Sequence, residues 1–554
     1  MVVSTEPVPF ANSILSNAYL TALFGAVAVL AIYHFWFQSL RYVKLASKIP
    51  GPTPLPVVGN IFIALGLSPN AFMKRAYELF KQYKTDVAKA YAGPYLYTLL
   101  ANPNDVELIL GSQQHLEKSW EYRLFEPWLG DGLLISKGER WRSHRKMIAP
   151  TFHSSILKSF FPVFNKNANR LLEKLEKEKG KLFDCHDYMS GATVDTLLET
   201  AMGVEKTDKD NTGFAYAKAV MDMCNILHIR HYKVWLRPEF IFKWTKMAGI
   251  QSSLLNLIHS LTREVIKRKK IDYYERVSKG EQSLYKEAVK EEEKALKNKN
   301  TENYKYIHDD LEDIEENDIG EKKRLAFLDF MIEASQTSGN KLSDEDIKEE
   351  VDTIMFEGHD TTAAASSFVL CLLGVHKNIQ KECIKELKEI YHDNWERPIT
   401  FADTLQMKYL ERVIMETLRL YPPVPIIARK VHQDVKLVSA DYTIPAGTSV
   451  VVSQYVTHRH PQFWKEPEVF NPDNFLPENC ANRHYYSYFP FSAGPRSCVG
   501  RKYAMLKLKV ILASVLRKFE ITSPQVEADF QLQSDIILKR TDGFKIRIQD
   551  RIMA

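Results

Sequence analysis

The sequence predicts a mainly α fold with a smaller β part, tethered by one N-terminal membrane span. Three observations lead there. One uncharged apolar run of bilayer length lies near the N-terminus. Residues from about 70 to 380 carry mostly helical periodicity, and short β-like runs gather between Asp434 and Val452 and again from Ile536 to Ile548. The 554 residues are 45% hydrophobic and 26% charged, which excludes a disordered or fibrous chain. A mean hydropathy of −0.27 with one long apolar run excludes a polytopic membrane protein. With 74 basic and 69 acidic residues the net charge is only +5, so nucleic acid is not an expected partner. Six cysteines without a C-x-x-C spacing exclude a disulfide scaffold and a zinc ribbon.

The span is Ala18 to Phe37, AYLTALFGAVAVLAIYHFWF. Twenty residues at about 1.5 Å each cover about 30 Å, the thickness of a bilayer core. Tyr33, Phe35, Trp36 and Phe37 suit an interfacial belt, and Arg41, Lys44 and Lys48 follow. The basic flank places the bulk of the chain on the cytosolic side. A cleaved signal peptide would need a basic leader and a small-residue cleavage site, and neither is present. Residues 1–40 thus read as lumenal tip and anchor. Residues 41–60 read as a basic flank and proline-rich hinge, because Pro50, Pro52, Pro54 and Pro56 stiffen an extended path. Residues 61–554 form the folded domain.

Within that domain, Asn165–Lys179, Glu382–Ile390, Leu405–Leu420 and Arg501–Phe519 are expected helices, and Val435–Val438 and Thr448–Val452 expected strands. A charged insertion spans about 280–324. Its residues 286–324 include 22 charged ones in 39, too few apolar groups for a core, and read as solvated chain.

Chemistry concentrates in three places. Phe491-Ser492-Ala493-Gly494-Pro495-Arg496-Ser497-Cys498-Val499-Gly500 puts a cysteine in a glycine-bearing loop ahead of a helix. Glycines allow close approach to a flat object, and a helix N-terminus favours a thiolate. Taken alone, a cysteine is more often buried and inert. Glu357-Gly358-His359-Asp360-Thr361-Thr362 places polar groups inside an apolar helix, where unpaired ones are costly. Glu357 and Thr361 share a face. A threonine there would otherwise bond its own i−4 carbonyl. Glu416-Thr417-Leu418-Arg419 is an i,i+3 pair, by itself ordinary surface.

E-G-H-D-T-T, E-x-x-R and the F-x-x-G-x-R-x-C-x-G loop, in this order along the chain, resemble the cytochrome P450 superfamily over essentially the whole chain. That resemblance implies the P450 fold, haem b, and Cys498 as the axial thiolate, which favours O–O cleavage. It implies Gly358 as the residue that makes room for dioxygen, Thr361 as the hydroxyl facing it, and Asp360 as the relay of protons from solvent. Phe491 and Arg496 join the haem loop, while Trp141, Arg145 and Arg429 are implied propionate partners. Glu416 and Arg419 are the structural pair. Asn474 in Pro472-Asp473-Asn474-Phe475 stands where the family's third partner is an arginine, so it hydrogen-bonds without bringing charge. His432, His458 and His460 are left as structural or surface residues.

Glu357 resembles family four, the fatty-chain oxidising branch, in some members of which this glutamate is esterified to haem. The charged insertion, Asn474 and the run W-R-S-H-R-K-M-I-A-P-T-F-H resemble its insect G subfamily, oxidative decarbonylases of long-chain aldehydes. The implied setting is the endoplasmic-reticulum membrane. Electrons would come from NADPH through a flavoprotein reductase, with cytochrome b5 as a further partner. Arg140, Arg142, Lys146, Arg501, Lys502 and Lys509 would form the docking face. A fatty-acid ω-hydroxylase, a xenobiotic or odorant oxidase, and a non-catalytic haem sensor are the alternatives.

Overall fold

The computed structural model describes residues 10–552 except 206–211, 281–325, 337–341 and scattered positions between 65 and 85. The charged insertion therefore lies outside the described residues. The first helix, α1, runs Phe10–Ser39. Its stretch Tyr19–Ser39 has a mean hydropathy of 1.9 and is only 6% buried, so its apolar side chains face outward around the helix. That is the property of a helix whose solvent is lipid.

The expected hinge is docked. Helix α2, Arg41–Ser47, buries Val43 and Ala46 in a small cluster with Phe37, Tyr91 and Leu96. Lys89 Nζ donates to the carbonyls of Ala46 (2.8 Å) and Ser47 (3.0 Å), and the Lys89 amide to Pro50 O (2.8 Å). A Cβ on Gly51 would stand 2.2 Å from Lys89 O, so the strand lies too close for any other residue. The segment expected as a hinge is therefore pinned to the domain at Pro50 and Gly51.

Strands β1 (Val87–Ala92) and β2 (Tyr95–Leu100) form an antiparallel hairpin around Gly93-Pro94. This hairpin lies where mostly helical chain was expected. Both faces of it are partly covered, which blurs the period-2 alternation that marks a half-buried strand. Strand β4 (Ile426–Lys430) pairs antiparallel with β5 (Ser449–Ser453), which runs parallel to β2, giving the order β1-β2-β5-β4.

The helical body surrounds one large core. Helices α4 (Phe161–Glu176), α5 (His186–Thr200), α8 (Asp344–Val375), α9 (Lys408–Leu420) and α10 (Arg501–Lys518) build it; α3 (Gly138–Ile148), α6 (Thr212–Tyr232) and α7 (Lys246–Ser278) flank it. α8 lies along α5 and α10. A capping box starts it: Ser343 Oγ accepts from the Asp346 amide (3.1 Å), and Asp346 accepts from the Ser343 amide (2.7 Å). The helix expected at Leu405–Leu420 is broken at Met407. The Glu386 carboxylate accepts from the Tyr409 and Leu410 amides and so caps the second piece. At the C-terminus β9 (Lys545–Asp550) pairs with β6 (Phe519–Thr522) and with the earlier β3 (Leu182–Asp184), and β7 (Leu532–Asp535) pairs with β8 (Ile537–Arg540).

Candidate active site

The cysteine loop is closed by its own backbone, since the Cys498 amide donates to Phe491 O at 2.8 Å. Gly494 has φ +68, and a Cβ there would fall 2.0 Å from Leu110 O. Arg145 from α3 donates to Ser497 O at 2.5 Å and ties the loop down. The loop then enters α10 through Gly500. Of six cysteines only Cys498 is exposed. Its thiol nevertheless opens onto an enclosed space: burial and the Glu357 carboxylate push it up to about 11, against the Gly500 N–H, Arg145 and Arg501. Two guanidiniums and a helix end do not suffice for a thiolate here, and a bound cation would have to hold it.

Opposite stands α8. From Glu350 to Gly374 every residue is buried except Glu357, Gly358 and Thr361. These three form one open patch in a helix otherwise packed all round. Burial, with Glu350 nearby, raises the Glu357 carboxyl to about 7, while Lys118, Arg145 and Arg496 oppose it.

Three expectations on α8 need correction. Thr361 Oγ1 donates to Glu357 O at 2.8 Å, the i−4 carbonyl, so the hydroxyl is engaged within the helix and keeps only its lone pairs free. A Cβ on Gly358 would meet Leu197 of α5 at 2.8 and 3.0 Å, so the glycine serves the α8–α5 contact as well as the patch. Asp360 is fully buried and does not reach solvent. Its Oδ1 lies 3.3 Å from Lys539 Nζ on β8. Burial would raise this acid, but Lys539, His359 and His186 outweigh it and hold it below the usual carboxylate range. Its partner Lys539, a residue the sequence did not single out, is itself slightly exposed.

Cations line the other side. Arg429 on β4 is 1% exposed, and its one recorded hydrogen bond is to Ala428 O (3.2 Å). Arg496 donates to Leu133 O (3.2 Å) and Ser136 O, and stacks 4.4 Å from the Trp141 ring. Lys118, which bridges to Arg429, is buried as well. Burial and the charges of Arg429 and Arg496 push Lys118 well below the lysine range, and burial with Arg429 brings Arg496 down to about 9. Among the described residues no carboxylate pairs with these three, and Arg496 Nε and Trp120 Nε1 are buried without a partner. Buried cations in that state are stable only beside anions. In the structure Trp141 stacks with Arg496 and Arg145 holds the cysteine loop. Lys118 and Trp120 were missed, and lone residues of those types carry no signal in sequence.

The structural pair is as expected. Arg419 Nε and Nη2 donate to Glu416 at 2.7 and 2.8 Å, both residues fully buried. Glu416 also accepts from the Asn471 amide (2.8 Å) and Asn474 Nδ2 (3.0 Å). Arg419 donates onward to the carbonyls of His458, Pro467 and Val469, closing the segment that leads to the cysteine loop. His458 accepts from the Phe489 amide at 2.9 Å, His460 meets Asp86 and His432 meets Glu117, all structural roles.

The expected docking face shrinks. Arg140 is committed to Asp131, Asp346 and Glu349, and Lys509 is fully buried against Glu411 at 2.8 Å. Arg142 and Lys146 stay exposed, with Arg501 and Lys502 partly so.

Thiol, unpaired cations and the open patch of α8 face one another electrostatically. A flat, iron-bearing dianion fits them: the iron would hold the thiolate and the carboxylates the buried cations. No cluster of three or more His, Cys, Asp or Glu able to hold a bare metal ion occurs among the described residues. Sequence comparison agrees. The cytochrome P450 family pattern matches residues 49–548. A Drosophila melanogaster protein named cytochrome P450 4g15 is 50% identical over 552 residues, covering 94% of this chain and 95% of its own. Cytochrome P450 4g1 of the same species is 49% identical over 532 residues (96% and 94%). Human cytochrome P450 4V2 is 36% identical over 538 residues (96% and 95%). Haem b, dioxygen and electrons from a redox partner come with this membership. The chain belongs to the cytochrome P450 family, and its likeness is to family four and the G members within it.

Proposed function

We propose that this chain is a haem-thiolate monooxygenase of the endoplasmic-reticulum membrane that converts long-chain aldehydes to hydrocarbons one carbon shorter. The observation that carries the oxidative part is the open Glu357-Gly358-Thr361 patch facing Cys498 in an otherwise sealed helix. Haem, when bound there, supplies dioxygen activation. Arg429, Arg496 and Lys118 would take its carboxylates, and Glu357 would be the carboxylate available for a haem ester. Asp360 and Lys539 hold a proton behind Thr361. Electrons would arrive from NADPH through a flavoprotein reductase at the Arg142 and Lys146 side, with cytochrome b5 as a second donor.

The membrane setting supports an aliphatic substrate. Besides α1, Phe240 (72%), Trp244 (92%) and Ile250 (53%) are exposed between α6 and the start of α7. Such side chains suit a lipid surface from which a poorly soluble chain would enter. The aldehyde reading follows the G-type relatives. Their names do not state it, and fatty-acid ω-hydroxylation is the second reading, favoured by the buried Glu357.

The test feeds microsomes containing this chain and reductase a labelled long-chain aldehyde with NADPH. One aldehyde, one O2, two electrons and two protons give the shorter hydrocarbon, CO2 and water. Hydrocarbon with label in CO2 is expected; ω-hydroxy or acid products alone would replace this reading with the hydroxylase.

A further inference from the structure

Lys507 on α10 is 1% exposed. A fully buried lysine is rare unless paired, yet no carboxylate lies at ion-pair distance among the described residues. Its one recorded hydrogen bond is to the carbonyl of Gly358, at 2.7 Å, and its ammonium lies 4.8 Å from the Tyr503 ring. Gly358 is the middle of the open patch. That carbonyl already serves the helix rung to Thr362, whose Oγ1 also approaches it at 3.3 Å. Donors are therefore in surplus at the one turn that faces Cys498. A helix turn with surplus side-chain donors is where its ladder can be held open or shifted. The support is rigid: Tyr503 OH meets Thr200 Oγ1 of α5 at 2.8 Å, and Thr193 Oγ1 donates to His359 O at 3.2 Å.

We infer that Lys507 is a positioning residue for the oxygen chemistry: it grips the Gly358 carbonyl from behind and fixes the turn that presents Glu357 and Thr361 to the haem side. This rests on the monooxygenase reading. Burial lowers the ammonium to about 7, as befits a cation kept for its hydrogen bond at an energetic cost. The groups around it are Tyr503 on its own helix and His359 on α8, with Asp360 already engaged by Lys539.

The consequence lies in the fate of electrons. When protons reach the oxygen in the wrong place, O2, two electrons and two protons leave as hydrogen peroxide instead of entering product. The test compares Lys507→Met, which keeps the bulk and removes the donor, with Lys507→Arg, which keeps a donor, in the full-length haem-loaded protein with reductase. The expected result for Lys507→Met is an unchanged carbon-monoxide spectrum and NADPH consumption within twofold. Product per NADPH falls at least fivefold, hydrogen peroxide makes up the difference, and Lys507→Arg restores most of it. Amide exchange over residues 355–362 speeds up in Lys507→Met without reductase. In combination with Thr361→Ala the loss is less than additive. Unchanged coupling, unchanged exchange, or Lys507→Arg behaving like Lys507→Met would overturn the proposal. Should Lys507→Met fail to take up haem, Lys507→Gln against Lys507→Arg makes the same comparison. A wild-type protein that forms no product from any aliphatic substrate would instead sink the monooxygenase reading, while the exchange result would still judge Lys507.

Discussion

Asn474 carries out with an amide what a charged partner would do at the Glu416–Arg419 pair. Four donors, two from Arg419 and one each from Asn471 and Asn474, reach the Glu416 carboxylate. Removing one neutral donor from a buried carboxylate costs on the order of 1–2 kcal/mol, whereas removing Arg419 leaves that charge unpaired and costs about 3–5 kcal/mol. Asn474→Ala should therefore fold with a melting temperature lowered by a few degrees, and Arg419→Ala should fail to accumulate as haem-loaded protein. Thermal melts followed at the haem band read the first, and haem content per expressed protein the second. Asn474 was legible because it sits in a spaced motif. Lys507, Lys118 and Lys539 were not: a lysine on a helix or strand reads as surface until its neighbours are known. Lys507 also carries a sign. Its folded value, about 7, lies below its unfolded value of 10.5, so the unfolded chain holds the extra proton between them. Stability should rise with pH across that window, at most about 1.4 kcal/mol per unit, and Lys507→Met should flatten the rise.

At the scale of elements, α8 decides the chemistry. Its apolar length and its polar interruption were readable in the sequence; its capping box emerged with the structure. What local pattern does not carry is which way each polar group turns. Asp360 faces β8, a strand almost 180 residues later, and its partner Lys539 belongs to a stretch legible only as strand. Lys539→Met should leave Asp360 buried and unpaired and destabilise the protein by about 3–5 kcal/mol. Asp360→Asn, which keeps the shape, should keep haem and the carbon-monoxide spectrum but lose turnover at least tenfold, as product assays would show. The β1–β2 hairpin escaped for the opposite reason. Gly93-Pro94 announces a turn, but the partly covered faces of its strands hide the alternation that would have flanked it.

Over the whole molecule, the anchor, the docked proline segment and the sheet form one continuous path from lipid to domain. Arg41 meets Asp434 at 2.5 Å, which joins the flank of α1 to the connection between β4 and β5. The apolar helix and its flank are thus tied to the domain rather than joined to it by a free spacer. Composition and periodicity foretold an anchored α-rich head, and the cysteine loop foretold its cofactor. The buried cation cluster proposed to receive it comes from β4, the loop before α3 and the cysteine loop, which only the fold brings together. Exposed Arg142 and Lys146 remain as candidate docking charges. The charge reversals Arg142→Glu and Lys146→Glu together should slow reductase-driven reduction severalfold at low salt and less at high salt, without changing chemical reduction by dithionite.

Cys498 is proposed to hold haem iron as a thiolate within this array. The carbon-monoxide difference spectrum of the dithionite-reduced protein, recorded for wild type and Cys498→Ser, tests it most directly. The account requires the thiolate-type band in wild type and its loss in the variant. A wild-type protein with haem but no such band, or a variant that keeps it, would contradict the assignment of Cys498.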